Sequence, residues 1–288
     1  MIVVWKETDI VGEANLSGLE NMLILDRMNE FAEPDALYPF AMDELLCRRT
    51  GEGGPAICHL WRHERAFVMG LRDSRLPGAA DAKRWLESEG YDAVVRHSGG
   101  AAVPLDAGVV NVSLILPIEE GADYHRDFER MYALVREALA GTGRRVDKGE
   151  IPGAYCPGDY DLSIDGFKFC GIAQRRQAKA LVIQAFVVAE GSGRRRARLV
   201  REFYERAAGG ADDPARVPRV TEDSTASLAE LTGLGLGAAK VFAEEIKEIV
   251  RARQTEDGLA AGAAALRLPS PEEVREAARA MRARYGLF

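Results

Sequence analysis

The chain has 288 residues, of which 47% are hydrophobic and 29% charged, enough for one sizeable core or a core with a small appendage. A formal net charge of −7 argues against general nucleic-acid binding, which needs a basic footprint, and no apolar run approaches the length of a membrane span. Cys47, Cys58, Cys156 and Cys170 show no short paired spacing, and no basic-then-apolar N-terminal export signal is present, so free thiols in a cytoplasmic chain are expected.

The elements expected in chain order begin with a short strand at 2–5 and a helix at 16–31, with Leu16, Leu19, Leu23 and Met28 on one side. An amphipathic helix over 39–49 has Pro39 in its first turn and Arg48 and Arg49 at the negative end of its dipole. Strands at 56–62 and 66–70 follow, then a helix over 80–89 capped by Gly90. A strand at 91–96 leads into Ser98-Gly99-Gly100, and another spans 109–116. Helix 124–140 carries the stripe Phe128, Met131, Leu134, Val135 and Leu139. Residues 178–189 are almost wholly apolar and rich in Val and Ile, as a buried central strand requires. Beyond them helices are expected at 195–207, 224–233, 238–252 and 271–284, the last with a cap, a first-turn proline and a box glutamate in Ser270-Pro271-Glu272-Glu273. The stretch 254–265, rich in Ala, Gly and Asp, has the composition of a mobile linker. Strands mixed with helices, then helices alone, predict an α+β domain over 1–207 and a helical extension over 208–288.

The most informative stretch is Gly153 to Gln174. Asp165-Gly166 is the strongest short hairpin signal available, because both residues tolerate the positive φ of a two-residue turn. Such a turn sets the pairs Ile164 with Phe167, Ser163 with Lys168, Leu162 with Phe169, and Asp161 with Cys170. Tyr160, Leu162, Ile164, Phe167 and Phe169 then share a core face, and Asp161, Ser163, Lys168 and Cys170 the other. Before the hairpin, Pro157 and Gly158 exclude regular structure and put Cys156 on a loop at a sheet end, where reactive groups concentrate. By residue type alone a cysteine is a small buried hydrophobe and a strand lysine is solvated. A thiol with an ammonium nearby, however, carries more thiolate, which suits thiol acyl transfer. Cys170, two residues from Lys168, is the rival nucleophile on geometry. His59 and His63 alternate along a strand, so they do not form a zinc pair.

Two blocks carry a resemblance. Tyr155-Cys-Pro-Gly-Asp-Tyr-Asp-Leu-Ser163 with Lys168-Phe-Cys-Gly-Ile-Ala-Gln-Arg-Arg176, and Val95-Arg-His-Ser-Gly-Gly-Ala-Ala-Val-Pro-Leu-Asp106, resemble the signatures of the lipoate ligase and octanoyltransferase superfamily, and more closely the octanoyl-[GcvH]:protein N-octanoyltransferases of Gram-positive bacteria. The resemblance covers about residues 37–207. It implies a mixed-sheet, biotin/lipoate-ligase-like catalytic domain, with Cys156 as nucleophile and Lys168 as its catalytic partner. It also implies a substrate-binding set of Arg96, Ser98, Gly99, Gly100, Ala101, Ala102, Asp106 and Gly171.

Two departures from the superfamily matter. Ala101 stands where the ATP-using ligases have a third glycine, and Leu105-Asp106 replaces their His-Asp. Both fit an enzyme receiving an acyl group already activated or bound to protein, with no cofactor and no metal. The expected partners are the glycine-cleavage H protein as octanoyl donor and E2 lipoyl domains as acceptors, without nucleic acid or membrane. The competing readings are an acyl-carrier-protein donor, ATP-dependent ligation, and a non-catalytic lipoyl-domain-binding module. The run Arg194, Arg195, Arg196 and Arg198 is either a solvated face or a docking patch for acidic lipoyl domains.

Overall fold

The central strand of the molecule is the apolar run singled out above. In a computed structural model, which describes residues 16, 18–118, 121, 123–210 and 217–287, Ala180–Val188 lies fourth in a seven-stranded sheet. In chain order the strands are β1 (Leu23–Arg27), β2 (Ile57–Trp61), β3 (Arg65–Met69), β4 (Asp92–Val95), β5 (Val103–Asp106), β6 (Val109–Pro117), β7 (Asp147–Lys148), β8 (Leu162–Ile164), β9 (Phe167–Arg176) and β10 (Ala180–Val188). The large sheet runs β1-β2-β6-β10-β9-β8-β7, and a small one runs β4-β3-β5. Only β1–β2 and β3–β4 pair parallel, so both sheets are mixed. The helices are α1 (Tyr38–Gly51), α2 (Ala79–Ser88), α3 (Tyr124–Ala138), α4 (Gly193–Ala207), α5 (Leu228–Thr232), α6 (Ala238–Arg251), α7 (Glu256–Ala265) and α8 (Pro271–Tyr285).

Both faces of the large sheet are buried, which explains why β6 and β10 are apolar apart from Asn111, Ser113 and Gln184. Along β10, Ala180, Val182, Phe186 and Val188 join one core with α1, the small sheet and α4, whereas Leu181, Ile183, Ala185 and Val187 join a second with α3 and α6. The Asp165-Gly166 turn has positive φ at both positions, 52° and 82°. Ser270 and Glu273 form the expected capping box of α8.

Several expectations need correction. The strand expected at 2–5 lies outside the described residues. Residues 23–27, expected inside a helix, form β1, because pairing with β2 satisfies their backbone and tertiary pairing outweighs a short helical stripe. β5 went unread because four residues containing a proline carry little pattern. Residues 254–265, expected as a mobile linker, contain α7, capped by Thr255 through Gly258 N–H and packed on β1. The helix expected at 224–233 is a single 3₁₀ turn followed by the short α5.

The hairpin pairs as expected only next to its turn. A bulge follows, so that Leu162 faces Cys170 and Phe169 is the extra residue. Phe169 and Cys170 consequently both enter the second core, while Phe167 is exposed at the tip. The bulge takes Cys170 off the face of Lys168.

Candidate active site

The large sheet presents two rows of side chains toward α1 and the small sheet. Strand register aligns Trp61, Asn111, Phe186 and Gly171 in one row, and His59, Ser113, Gln184 and Ala173 in the next. Asp43 of α1 ties the second row together from above. Its buried carboxylate accepts hydrogen bonds from His59 Nδ1 (2.8 Å), Ser113 Oγ (2.6 Å) and Gln184 Nε2 (2.7 Å). Buried charge is tolerated where its lone pairs are filled in this way. A cavity of about 250 Å³ lies over these rows. Phe40, Trp61, Val68, Val103, Leu105 and Phe186 give it an apolar wall. Tyr124, Phe128 and Tyr160 form an aromatic rim, with Phe128 stacked on Tyr160 at 4.5 Å and Tyr124 half exposed.

Cys156 lines this cavity and is 8% exposed. Its φ of 50° is in the left-handed region, which costs a non-glycine residue energy and is held only when surrounding contacts impose it. Those contacts are visible. Cys156 Sγ accepts hydrogen bonds from the backbone N–H of Ala101 at 3.2 Å and from Nη2 of Arg96 at 3.5 Å. The same Arg96 nitrogen donates to the Ala101 carbonyl at 2.8 Å, closing the loop on itself. Gly100 sits between, with φ 95°. A Cβ there would meet Arg96 Nη2 at 2.5 Å and Cys156 Sγ at 3.0 Å, so only glycine fits. Beneath the loop, Ala102 N–H donates to the Tyr204 hydroxyl (3.3 Å), which donates to buried Asp73 (2.9 Å).

Lys168 is fully buried. An ammonium has three donors, and all three are used: Asp161 Oδ2 at 2.6 Å, Tyr155 O at 2.9 Å and Cys156 O at 2.6 Å. Lys168 thus grips the backbone of the cysteine loop. Asp161 also accepts from Gly158 N–H (3.2 Å), fastening the other end. Burial pushes the Asp161 carboxyl up to about 6, against the opposing pull of the lysine charge. Gly171 adjoins this cluster: a Cβ there would lie 3.4 Å from Lys168 Nζ and would strike the Phe186 ring at 2.5 Å.

The structure brings Arg96, Gly99, Gly100, Ala101, Cys156, Lys168 and Gly171 together. Ser98 and Ala102 are buried within and beneath the loop and do not line the cavity. Asp106 is a correction. It lies in a separate depression, bound by Arg196 Nε (2.9 Å) and Nη2 (2.6 Å) and accepting from Gly108 N–H, so it braces a turn away from the cavity. Cys170 is buried in the second core, which pushes its thiol well above the usual range. The arginine run is largely neutralised: Arg194 pairs with Asp223, Arg196 with Asp106 and Arg198 with Glu222. Sequence reasoning missed Asp161 as the lysine's counter-ion, because a strand-end aspartate has no pattern of its own. It also missed Phe40, Trp61 and Asp43, which only the packing of α1 on the sheet brings to the site. Among the described residues no group of three or more His, Cys, Asp or Glu side chains could hold a metal ion.

Residues 35–252 match the lipoyl protein ligase A/B catalytic domain. The chain belongs to that family. An octanoyl-[GcvH]:protein N-octanoyltransferase of Geobacillus kaustophilus is 45% identical over 210 residues, 70% of this chain and 72% of that protein. A protein of the same name from Macrococcus caseolyticus is 41% identical over 206 residues, 72% of this chain and 75% of its own. The fold matches a lipoate-protein ligase A crystallised with ATP at a TM-score of 0.63 and 17% identity, covering 93% of this chain and 96% of the other. At that identity the likeness speaks for the shared α+β architecture alone.

Proposed function

We propose that this protein transfers octanoyl groups from the lysine of octanoylated GcvH, the glycine-cleavage H protein, to the lipoyl-domain lysine of E2 subunits, through a thioester on Cys156. The observation that carries this reading is the sulfur itself, held at a strained backbone position in an apolar-walled cavity with two donors aimed at it. The family and the names of the relatives support the donor; the E2 acceptor is this reading's own extension. In the first step Cys156 Sγ, as thiolate, adds to the amide carbonyl. The tetrahedral intermediate then expels the lysine nitrogen, which leaves as an amine after taking, by way of solvent or a nearby base, the proton that the thiol gave up. In the second step the acceptor amine adds to the thioester, Sγ leaves as thiolate, and the amine proton passes to solvent or a nearby base. Dividing one difficult exchange into two is the gain from covalent catalysis. Donor and acceptor are both lysine amides, so the exchange needs no ATP.

Arg96 Nη2 and the Ala101 N–H both donate to the sulfur, so on this reading they favour the charge it carries when it attacks and when it leaves. Lys168 and Asp161 fix the loop that presents it. The apolar wall takes the alkyl chain, and at about 0.8 kcal/mol per CH₂ the full octanoyl chain outcompetes an acetyl group by several kcal/mol. Residues 1–207 supply the chemistry on this reading, and 208–288 brace it. Ser224 Oγ and Thr221 N–H bond the Gly153 carbonyl at 2.9 Å each, and Ala226 N–H bonds that of Lys168 at 3.1 Å. Among the described residues no helix is long and apolar enough to cross a membrane. Mixing the protein with octanoylated GcvH and measuring intact mass is the test. A hydroxylamine-labile octanoyl adduct, absent in Cys156→Ser, is expected, and no adduct on the wild-type protein would overturn the reading.

A further inference from the structure

The sulfur's two donors both come from the loop after β4, and that loop is held from outside by the last helix. α8 lies beyond the stretch that matches the family, 35–252. It buries Val274, Ala278 and Met281, and Arg49–Glu273 (2.7 Å) and Arg275–Glu33 (3.0 Å) anchor its first half. Its second half spans β4. At the start of that strand, Arg282 pairs with Asp92 at 3.2 Å and with Asp35 at 2.6 Å. Just past the strand's end, Tyr285 stacks on His97, with centroids 6.0 Å apart and planes within 18°. The opposite constraint on His97 comes from α1, where Glu44 Oε2 lies 2.9 Å from His97 Nε2. Glu44 is itself gripped by Arg175 of β9 at 2.8 and 3.1 Å. Burial opposes ionisation of Glu44, but the bonds from His97 and Arg175 prevail and hold its carboxyl well below the usual range. His97 directly follows Arg96, whose guanidinium contacts the sulfur, and is separated from the loop's glycines by Ser98 alone.

We propose that Tyr285 is a positioning residue for acyl transfer: by stacking on His97, the C-terminal helix sets the Arg96–Ala102 loop against Cys156. This rests on Cys156 being the nucleophile. His97 has one polar tether and one stacked face, and removal of the face frees the ring to turn about the other. Arg96 and Ala101 then shift relative to Sγ. Their hold on the sulfur affects the chemical step more than donor binding, because a cavity of about 250 Å³ admits an acyl chain and not a donor protein.

The test compares single-turnover adduct formation from octanoylated GcvH, and the KM for that donor, in wild type, Tyr285→Ala and Tyr285→Phe, with thermal unfolding as a control. Misplacement of catalytic groups by a fraction of an ångström is expected to slow acylation of Tyr285→Ala about tenfold or more, with KM little changed. Tyr285→Phe, which keeps the ring, should restore the wild-type rate. An unchanged rate in Tyr285→Ala overturns the inference, and so does an equal loss in Tyr285→Phe. If Tyr285→Ala does not fold, His97→Gln decides: it keeps a partner for Glu44 and removes the stacked ring, so a normal rate overturns the inference and a slow one supports it. If wild type forms no adduct, the nucleophile reading fails instead. The alkylation rate of Cys156 by iodoacetamide then carries the test. It should differ from wild type in Tyr285→Ala but not in Tyr285→Phe, and equality of all three overturns the inference.

Discussion

The cysteine loop, 153–161, and the hairpin that follows it, 162–176, are neighbours in sequence and opposites in physics. The hairpin follows its local chemistry: positive φ falls on Asp165 and Gly166, residues that accept it, and apolar side chains enter a core. The loop defies its own chemistry. It places a cysteine at φ 50° and depends on Lys168, Asp161, Arg96 and the 221–226 segment to keep it there. A hairpin whose turn obeys local pattern thus supports a segment that does not, and the sulfur proposed as nucleophile sits on the latter. Residues that satisfy local preference build the scaffold, whereas the sulfur's geometry is imposed by three other stretches of chain, the 96–101 loop, Lys168 and the 221–226 segment.

The comparison is most strongly tested at the sulfur. Cys156→Ser should lower octanoyl transfer by about a thousandfold or more, measured as steady-state turnover. Cys156→Gly should be equally inactive yet gain up to about 1 kcal/mol in urea unfolding, because glycine adopts the positive φ freely. A glycine variant less stable than wild type would remove strain from the argument.

Next comes the lysine. Lys168→Met leaves Asp161 buried without a counter-ion and should cost about 3–5 kcal/mol by urea unfolding, with the double variant Lys168→Met/Asp161→Leu recovering most of it. If the single substitution cost no more than a surface pair, the loop would not depend on this anchor.

A smaller, pH-dependent effect follows from Asp161. Its carboxyl, normally near 3.8, is raised to about 6 in the folded protein, chiefly by burial. The folded state therefore holds the proton more tightly than the unfolded chain does. The resulting stability is fully present below about 3.8 and is lost as pH rises through about 6. Activity should run the other way, because protonation below about 6 removes the charge that holds Lys168. Acyl-enzyme formation followed between pH 5 and pH 8, roughly one unit below that midpoint to two above it, should fall toward the acid end, and Asp161→Asn should flatten the profile. The smallest effect is expected at the second thiol. Cys170→Ala should cost about 1 kcal/mol of stability and leave transfer unchanged, since the bulge has moved Cys170 into the core.

Legibility in the sequence divides along the same line. β10, the hairpin turn, α3 and the capping box of α8 were readable because composition or spacing within a few residues decides each. β1 and α7 were misread because partners far along the chain determine them: β2 completes the backbone bonding of the first, and β1 packs against the second. The site shows the same split. Cys156, Lys168 and the glycine loop stood out by motif, yet the lysine's direction did not. One inserted residue, Phe169, shifts the register beyond Lys168, and no two-residue alternation anticipates a bulge. Asp106 closes the motif block in sequence, but Arg196 draws it to another surface.

The placement of Lys168 has a chemical consequence under the proposed mechanism. The enzyme would carry an activated thioester whose natural fate is capture by a primary amine, and a primary amine of its own stands one residue's backbone away. Because that nitrogen spends its hydrogens on a carboxylate and two carbonyls, it has no lone pair facing the acyl carbon, and the protein is protected against octanoylating itself.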